Sequence, residues 1–126
     1  MKRIVVIEDN TMAAKLYEST LVREGFEVEL ASDGEAGLAA IARAAPSLVL
    51  LDLMLPKIGG FDVLRRIRAM PGLETLPVIV TSNAYTAARL DELRRAGATQ
   101  IVTKASMSPK ELTRIVQHAL RPLSPS

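Results

Sequence analysis

The run Leu48-Val49-Leu50-Leu51 contains no polar residue and ends on a carboxylate, Asp52. A strand covered on both faces of a parallel sheet reads as a continuous aliphatic run, so this segment points to an α/β core with Asp52 emerging at the strand's carboxyl end. Open α/β sheets bind ligands beyond that edge. Three further runs repeat the arrangement: Ile4-Val5-Val6-Ile7 precedes Glu8-Asp9, Val78-Ile79-Val80 precedes Thr81-Ser82, and Ile101-Val102-Thr103 precedes Lys104. Four strands therefore deliver an acid pair, an acid, a hydroxyl and an amine to one edge.

A length of 126 residues suits one domain, and an apolar fraction of 48% with only 3% aromatics means that Leu, Ile, Val and Ala fill the core. The net charge of +2, from 16 basic and 14 acidic residues, is too small to argue for direct binding of nucleic acid. There is no cysteine, which excludes disulfides, thiolate nucleophiles and thiolate metal sites. Only four apolar residues separate Met1-Lys2-Arg3 from Glu8, too few for a signal peptide, and no run approaches membrane-spanning length. A cytoplasmic protein with no membrane partner is expected.

Strand and helix signals alternate through five rounds, the pattern of a three-layer, doubly wound α/β sheet. The first strand is predicted over roughly Arg3 to Glu8. A helix follows, capped by Asn10, with Ala13, Leu16, Tyr17, Thr20 and Leu21 on one face and Gly25 as its stop. Residues 27–31 alternate polar and apolar, as an edge strand does. Ser32-Asp33-Gly34-Glu35 reads as a Ser-x-x-Glu capping box opening a helix that buries Leu38, Ile41, Ala42 and Ala45 before Pro46. After the loop Pro56-Lys57-Ile58-Gly59-Gly60, a third helix turns Phe61, Leu64 and Ile67 inward and Arg65, Arg66 and Arg68 outward. A fourth helix spans about 85–96 on a thin Leu90 and Leu93 stripe, and a fifth strand spans 99–103. The last helix has the clearest start, with Ser108 as cap, Pro109 at its first position and Glu111 completing a capping box. Leu112, Ile115, Val116, Ala119 and Leu120 form its buried stripe. Residues 1–121 make the domain, and 122–126 read as a tail or the start of a linker.

Three carboxylates at one edge repel one another, and a hard divalent cation relieves the repulsion. Mg²⁺ takes oxygen ligands, usually one or two carboxylates together with phosphate oxygens. Asp9 and Asp52 can supply two directly, the longer Glu8 can reach through a water, and the main-chain carbonyl of Met54 can add another. The remaining oxygen of Asp52 is then available to attack phosphorus and form an aspartyl phosphate. Phosphoryl transfer needs alignment and charge neutralisation above all, which the cation, Lys104 and the Thr81 hydroxyl would provide. Taken singly, each residue has a structural explanation: Asp9 and Asn10 as helix caps, Lys104 as a surface amine, Thr81 as a strand hydroxyl. Their joint occurrence at four strand ends carries the chemical reading.

Glu8-Asp9-Asn10, Leu51-Asp52-Leu53-Met54-Leu55-Pro56 with Gly59-Gly60, Thr81-Ser82, Gly97-Ala98 and Thr103-Lys104 together resemble the receiver domain of bacterial two-component response regulators, from Lys2 to about Leu120. The resemblance implies a flavodoxin-like sheet in the order 2-1-3-4-5. It also implies that Asp52 accepts a phosphoryl group from a histidine kinase or phosphotransfer protein, with Mg²⁺ or Mn²⁺ at Asp9, Asp52, the Met54 carbonyl and, through water, Glu8. Lys104 and Thr81 assist, and the chain catalyses only its own phosphorylation and dephosphorylation. A downstream partner is expected at the surface of the fourth helix, fifth strand and fifth helix, on a monomer or weak homodimer. By the same resemblance Met54 and Asn83 tune hydrolysis of the phosphoryl group, Met54 poorly and Asn83 well equipped to hold a water. The chain departs from the family in three places. Glu8 stands where aspartate is commoner. Ala105 replaces the usual proline, which makes a trans Lys104-Ala105 bond the expectation and puts the aim of Lys104 in question. Ile101 replaces a switch Tyr or Phe.

Three other readings compete. A pseudo-receiver would keep the fold and act only as an interaction module, as Ala105 and Ile101 would allow. A metal-dependent phosphatase with an aspartyl nucleophile would want Asp-x-Asp, and Met54 occupies the second acid's place. A flavin or nucleotide binder would have to place phosphate against Glu8-Asp9, and neither glycine-rich phosphate motif occurs.

Overall fold

A computed structural model describes residues 2–83 and 85–121, so the predicted tail at 122–126 lies outside the described residues. The chain runs β1 (Arg3–Ile7), α1 (Thr11–Arg23), β2 (Glu27–Ala31), α2 (Gly34–Ala44), β3 (Leu48–Asp52), α3 (Gly60–Ala69), β4 (Val78–Ser82), α4 (Ala87–Arg95), β5 (Gln100–Thr103), a single 3₁₀ turn (Lys104–Ser106) and α5 (Pro109–Ala119). The five strands form one sheet in the order β2-β1-β3-β4-β5. Each neighbouring pair is parallel, with Val6 opposite Leu50 and Leu50 opposite Ile79.

Because side chains alternate across a strand, the aliphatic runs split into two cores. Ile4, Val6, Leu48, Leu50, Ile79 and Val102 face one side, where Tyr17 and Leu21 of α1 and Leu112, Ile115 and Val116 of α5 cover them. Val5, Ile7, Val49, Leu51, Val78 and Val80 face the other, under Ile41 of α2, Val63, Leu64 and Ile67 of α3 and Leu93 of α4. Burial on both faces is why β1, β3 and β4 read as unbroken apolar runs. At the β2 edge, Glu27 is paired with Arg3 at 2.7 Å and Glu29 with Arg43, so charged side chains blunt the open edge.

Several helix details differ from the pattern in the sequence. Helix α2 is capped by Asp33, whose Oδ1 accepts from the Ala36 amide at 2.8 Å, and Ser32 is exposed outside the helix. Its buried face carries Gly34, Gly37, Ala40 and Ile41, while Ala42 and Ala45 are exposed. A Cβ on Gly37 would stand 2.7 Å from Ile7 Cγ1, so the helix turns its smallest residue to the sheet and lies closer than a leucine stripe permits. In α1, Ala14 is buried and Leu16 is exposed. Ser108 caps α5, accepting from the Glu111 amide at 3.2 Å, but the Glu111 carboxylate turns to Arg114, so only half of the capping box forms.

Arg68 does not point outward. Its guanidinium donates to the Gly97 carbonyl from Nε at 3.0 Å and Nη2 at 2.7 Å, and to the Leu73 carbonyl from Nη1 at 2.7 Å. One side chain thus ties the segment after α3 to the turn after α4, where Gly97 adopts a φ of +107°. Its burial holds the guanidinium below its ordinary range.

Candidate functional site

The alternation that builds the two cores also builds the site. On the α1/α5 side, the row Ile4, Val6 continues to Glu8, Leu48 and Leu50 to Asp52, Ile79 to Thr81, and Val102 to Lys104. Each of these polar residues occupies the next same-side position after an aliphatic stripe, and register brings the four row ends together. Asp52 is directly opposite Thr81. Asp9 is out of phase with that row and is exposed at the rim.

Asp52 and Glu8 are each only 3% exposed, and Thr81 is buried. Oδ1 of Asp52 accepts from the Met54 amide at 3.0 Å, and Oδ2 accepts from Lys104 Nζ at 2.9 Å. Without a bound cation, both carboxylate oxygens therefore have a hydrogen-bond partner. Oε2 of Glu8 accepts from the Asn10 amide at 3.0 Å. Oε1 lies 2.8 Å from Lys104 Nζ, close enough for an ion pair but misaligned for a hydrogen bond, and it is a buried oxygen with no hydrogen-bond partner. Asn10 caps α1, accepting from the Ala13 amide at 2.9 Å, so that helix begins beside the cluster. Helix α3 also starts hard against it: a Cβ on Gly60 would come within 2.6 Å of Leu53 Cα, a backbone atom that cannot yield. Gly59 faces open space.

Burial pushes the Glu8 carboxyl above its ordinary range. Lys104 and the Asn10 amide oppose that rise, and Asp52 adds to it. For Lys104, burial works against the ammonium, but Glu8 and Asp52 outweigh it and hold the pKa above the usual lysine range. The amine is thus locked in its charged form between two carboxylates. Burial, reinforced by the charge of Glu8, likewise raises the Tyr17 hydroxyl.

Glu8, Asp9 and Asp52 each offer an oxygen, and the three oxygens lie within 4.8 Å of one another. That all-oxygen donor set fits a hard divalent cation. The Lys104-Ala105 bond is trans, as expected, and Lys104 nonetheless points at Asp52: the 3₁₀ turn aims it without a proline. Asn83 is exposed, Met54 is 68% exposed, Ala105 is exposed and Ile101 is half-buried against the core under α4. Sequence reasoning did not single out three contributors. The amides of Met54 and Asn10 act through backbone, which carries no residue signature. Tyr17, buried in the core under α1 and α5, was read only as part of an apolar stripe.

Residues 4–117 match the family model of the response regulator receiver domain. The transcriptional regulatory protein DltR of Streptococcus agalactiae is 38% identical over 113 residues, covering 90% of this chain and 50% of DltR. The chain thus spans about half the length of the curated relatives it matches. A CheY-like receiver domain protein from Methanospirillum hungatei superposes with a TM-score of 0.88 at 26% identity, over 95% of this chain and 94% of that one. The Mn²⁺-bound form of response regulator Rcp1 superposes with a TM-score of 0.78 at 28% identity, over 94% and 91%. The row of polar strand ends and the comparisons agree, and the chain belongs to the receiver domain family of two-component response regulators.

Proposed function

We propose that Asp52 is the phospho-acceptor of this receiver, taking its phosphoryl group from a histidine kinase or phosphotransfer protein. The observation that carries the reading is the position of Asp52, buried at a strand tip with one oxygen on a backbone amide and the other on the Lys104 amine. In the transfer an Asp52 oxygen bonds to phosphorus while the phosphorus–nitrogen bond to the donor imidazole breaks, its electron pair leaving with the ring. Oδ2 is suited to this because Lys104 can exchange it for an incoming phosphoryl oxygen, whereas the Met54 amide stays on Oδ1. The Thr81 hydroxyl, opposite Asp52 in the sheet, would donate to a second phosphoryl oxygen. Asp9, Asp52, the Met54 carbonyl and, through water, Glu8 would hold Mg²⁺ or Mn²⁺. The ion supplies positive charge against the oxygens of the transferring group.

Receiver domains are signalling modules rather than classical enzymes. In this reading the chain catalyses only its own phosphorylation and dephosphorylation. Residues 1–121 form the receiver, a monomer or weak homodimer in the cytoplasm, and phosphorylation shifts the equilibrium of the α4-β5-α5 face toward a partner-binding arrangement. Among the described residues no helix is long and apolar enough to cross a membrane.

The test is incubation with Mg²⁺ and acetyl phosphate followed by intact-mass measurement. One phosphoryl adduct on the parent and none on Asp52→Asn is expected. An adduct on both, or on neither, overturns the assignment. Met54 and Asn83 are proposed to set the lifetime of that adduct, and an unchanged decay in Met54→Asn would remove Met54 from that role.

A further inference from the structure

The chain has five methionines. Among the described residues, the two with strongly exposed side chains, Met12 at 83% and Met54 at 68%, are also the two that closely follow the acids of the site, three residues after Asp9 and two after Asp52. Met107 is buried at 7% exposure in the core under α5, and Met70 is half-buried. Solvent access decides which thioethers peroxides reach first. Met54 is the better placed to matter, since its own amide holds Asp52 Oδ1. Met54 also lines an open hollow of about 630 Å³ with Leu53, Ser82, Asn83 and Arg89, of which Leu53 and Ser82 directly follow Asp52 and Thr81 in the chain.

We propose that Met54 is a site of reversible oxidation whose sulfoxide shortens the life of the phosphorylated form, a reading that rests on Asp52 as acceptor. A peroxide transfers one oxygen to the sulfur in a two-electron step and, if it is hydrogen peroxide, leaves as water. The thioether is a weak hydrogen-bond acceptor, whereas the sulfoxide oxygen is a strong one on the same flexible stem. In the hollow, that oxygen and the Asn83 amide can hold a water between them. Attack by the water forms a new oxygen–phosphorus bond as the bond to Asp52 breaks, its electron pair returning to the carboxylate and dihydrogen phosphate departing. Oxidation would thereby clear the signal without touching the acceptor, and reduction of the sulfoxide would restore the longer lifetime.

The full chain, Met12→Leu and Met54→Leu are treated with hydrogen peroxide, quenched with catalase, mapped by peptide mass, then loaded with acetyl phosphate and Mg²⁺ and followed by intact mass. Expected are oxygen uptake at Met12 and Met54 before Met70 and Met107, and a several-fold faster loss of the adduct in the oxidised parent and oxidised Met12→Leu. Met54→Leu, which keeps the backbone amide and carbonyl, should decay at one rate before and after peroxide, and methionine sulfoxide reductase should reverse the change in the parent. An adduct that decays equally with and without oxidation, or more slowly when oxidised, overturns the proposal while leaving Asp52 as acceptor. Acceleration that persists in Met54→Leu assigns the effect elsewhere and overturns it too. Absence of any adduct before oxidation is the failure of the acceptor reading itself, and this inference falls with it.

Discussion

Helices α4 and α5 lie on opposite sides of β5 and are attached to it very differently. Helix α5 buries Leu112, Ile115 and Val116 beneath a cap that combines Ser108 with Pro109 at the first helical position. Helix α4 buries only Leu93. Its start depends on Thr86 Oγ1 accepting from the Arg89 amide at 3.1 Å, and its end on the Gly97 turn held by Arg68. The amphipathic stripe of α5 fixes it to the sheet, whereas α4 is pinned at its tail and lightly held along its length. Local opening concentrates where few apolar contacts must be broken. The face proposed to report phosphorylation therefore joins one rigid element to one that can move, and α4 begins just after the Thr81-Ser82 strand end.

The comparison can be broken most severely at α5. Leu112→Ala should cost about 3 kcal/mol in urea unfolding, since a fully packed leucine is replaced by a cavity. A loss near zero would mean that α5 is no anchor. Arg68→Met should cost about 2 kcal/mol by stripping charged donors from two carbonyls. Its sharper signature is faster amide exchange in α4 with α5 unchanged; equal acceleration of both helices would show that the latch is not local. Thr86→Ala should cost about 1 kcal/mol through the lost cap, again read in the first turn of α4.

The smallest effect is a pH dependence at the turn before α5. Lys104 has its folded pKa raised, so its stabilisation is complete below the ordinary lysine value and is lost as pH climbs through the raised one. Glu8 is raised as well, so its protonated form favours the fold below its ordinary value, and that contribution disappears as pH rises through the shifted one. Lys104→Met removes an influence that lowers Glu8. The variant's deficit in unfolding free energy should therefore open on leaving acid pH and narrow again at strongly alkaline pH. A deficit constant across the range would mean that the amine contributes packing rather than charge. Solvent at the partly exposed Lys104 keeps the effect modest.

Strand ends were legible in the sequence because burial on two faces leaves a chemical mark: an aliphatic run must stop where the core stops, and the next residue shows what lies at the edge. Glu8, Asp52, Thr81 and Lys104 were found in that way. Helix faces were less legible because a stripe of leucine and alanine does not say how near a helix may come. Gly37 set the answer for α2, and no count of apolar residues weighs a missing side chain. Arg68 was misread for a related reason, since a charged residue on a helix looks solvated until two distant carbonyls converge on it. Asp33 displaced Ser32 as cap because its carboxylate accepts from the Ala36 amide, which moves the helix boundary one residue later. The trans bond before Ala105 was anticipated, but the continued aim of Lys104 depends on the short 3₁₀ turn, which left no clear trace in composition.

The side-to-side alternation that gathers the polar row ends also sets what lengths the chain can tolerate. Exchanging one aliphatic residue for another within β3 disturbs packing alone. Deleting a single residue between Leu50 and Asp52 would rotate the carboxylate into the layer beneath α2 and α3, leaving a sheet of nearly the same composition with its acid on the wrong side. Spacing in these strands is thus a chemical requirement as much as an architectural one, and a descendant that lost one residue there could keep its shape while falling silent.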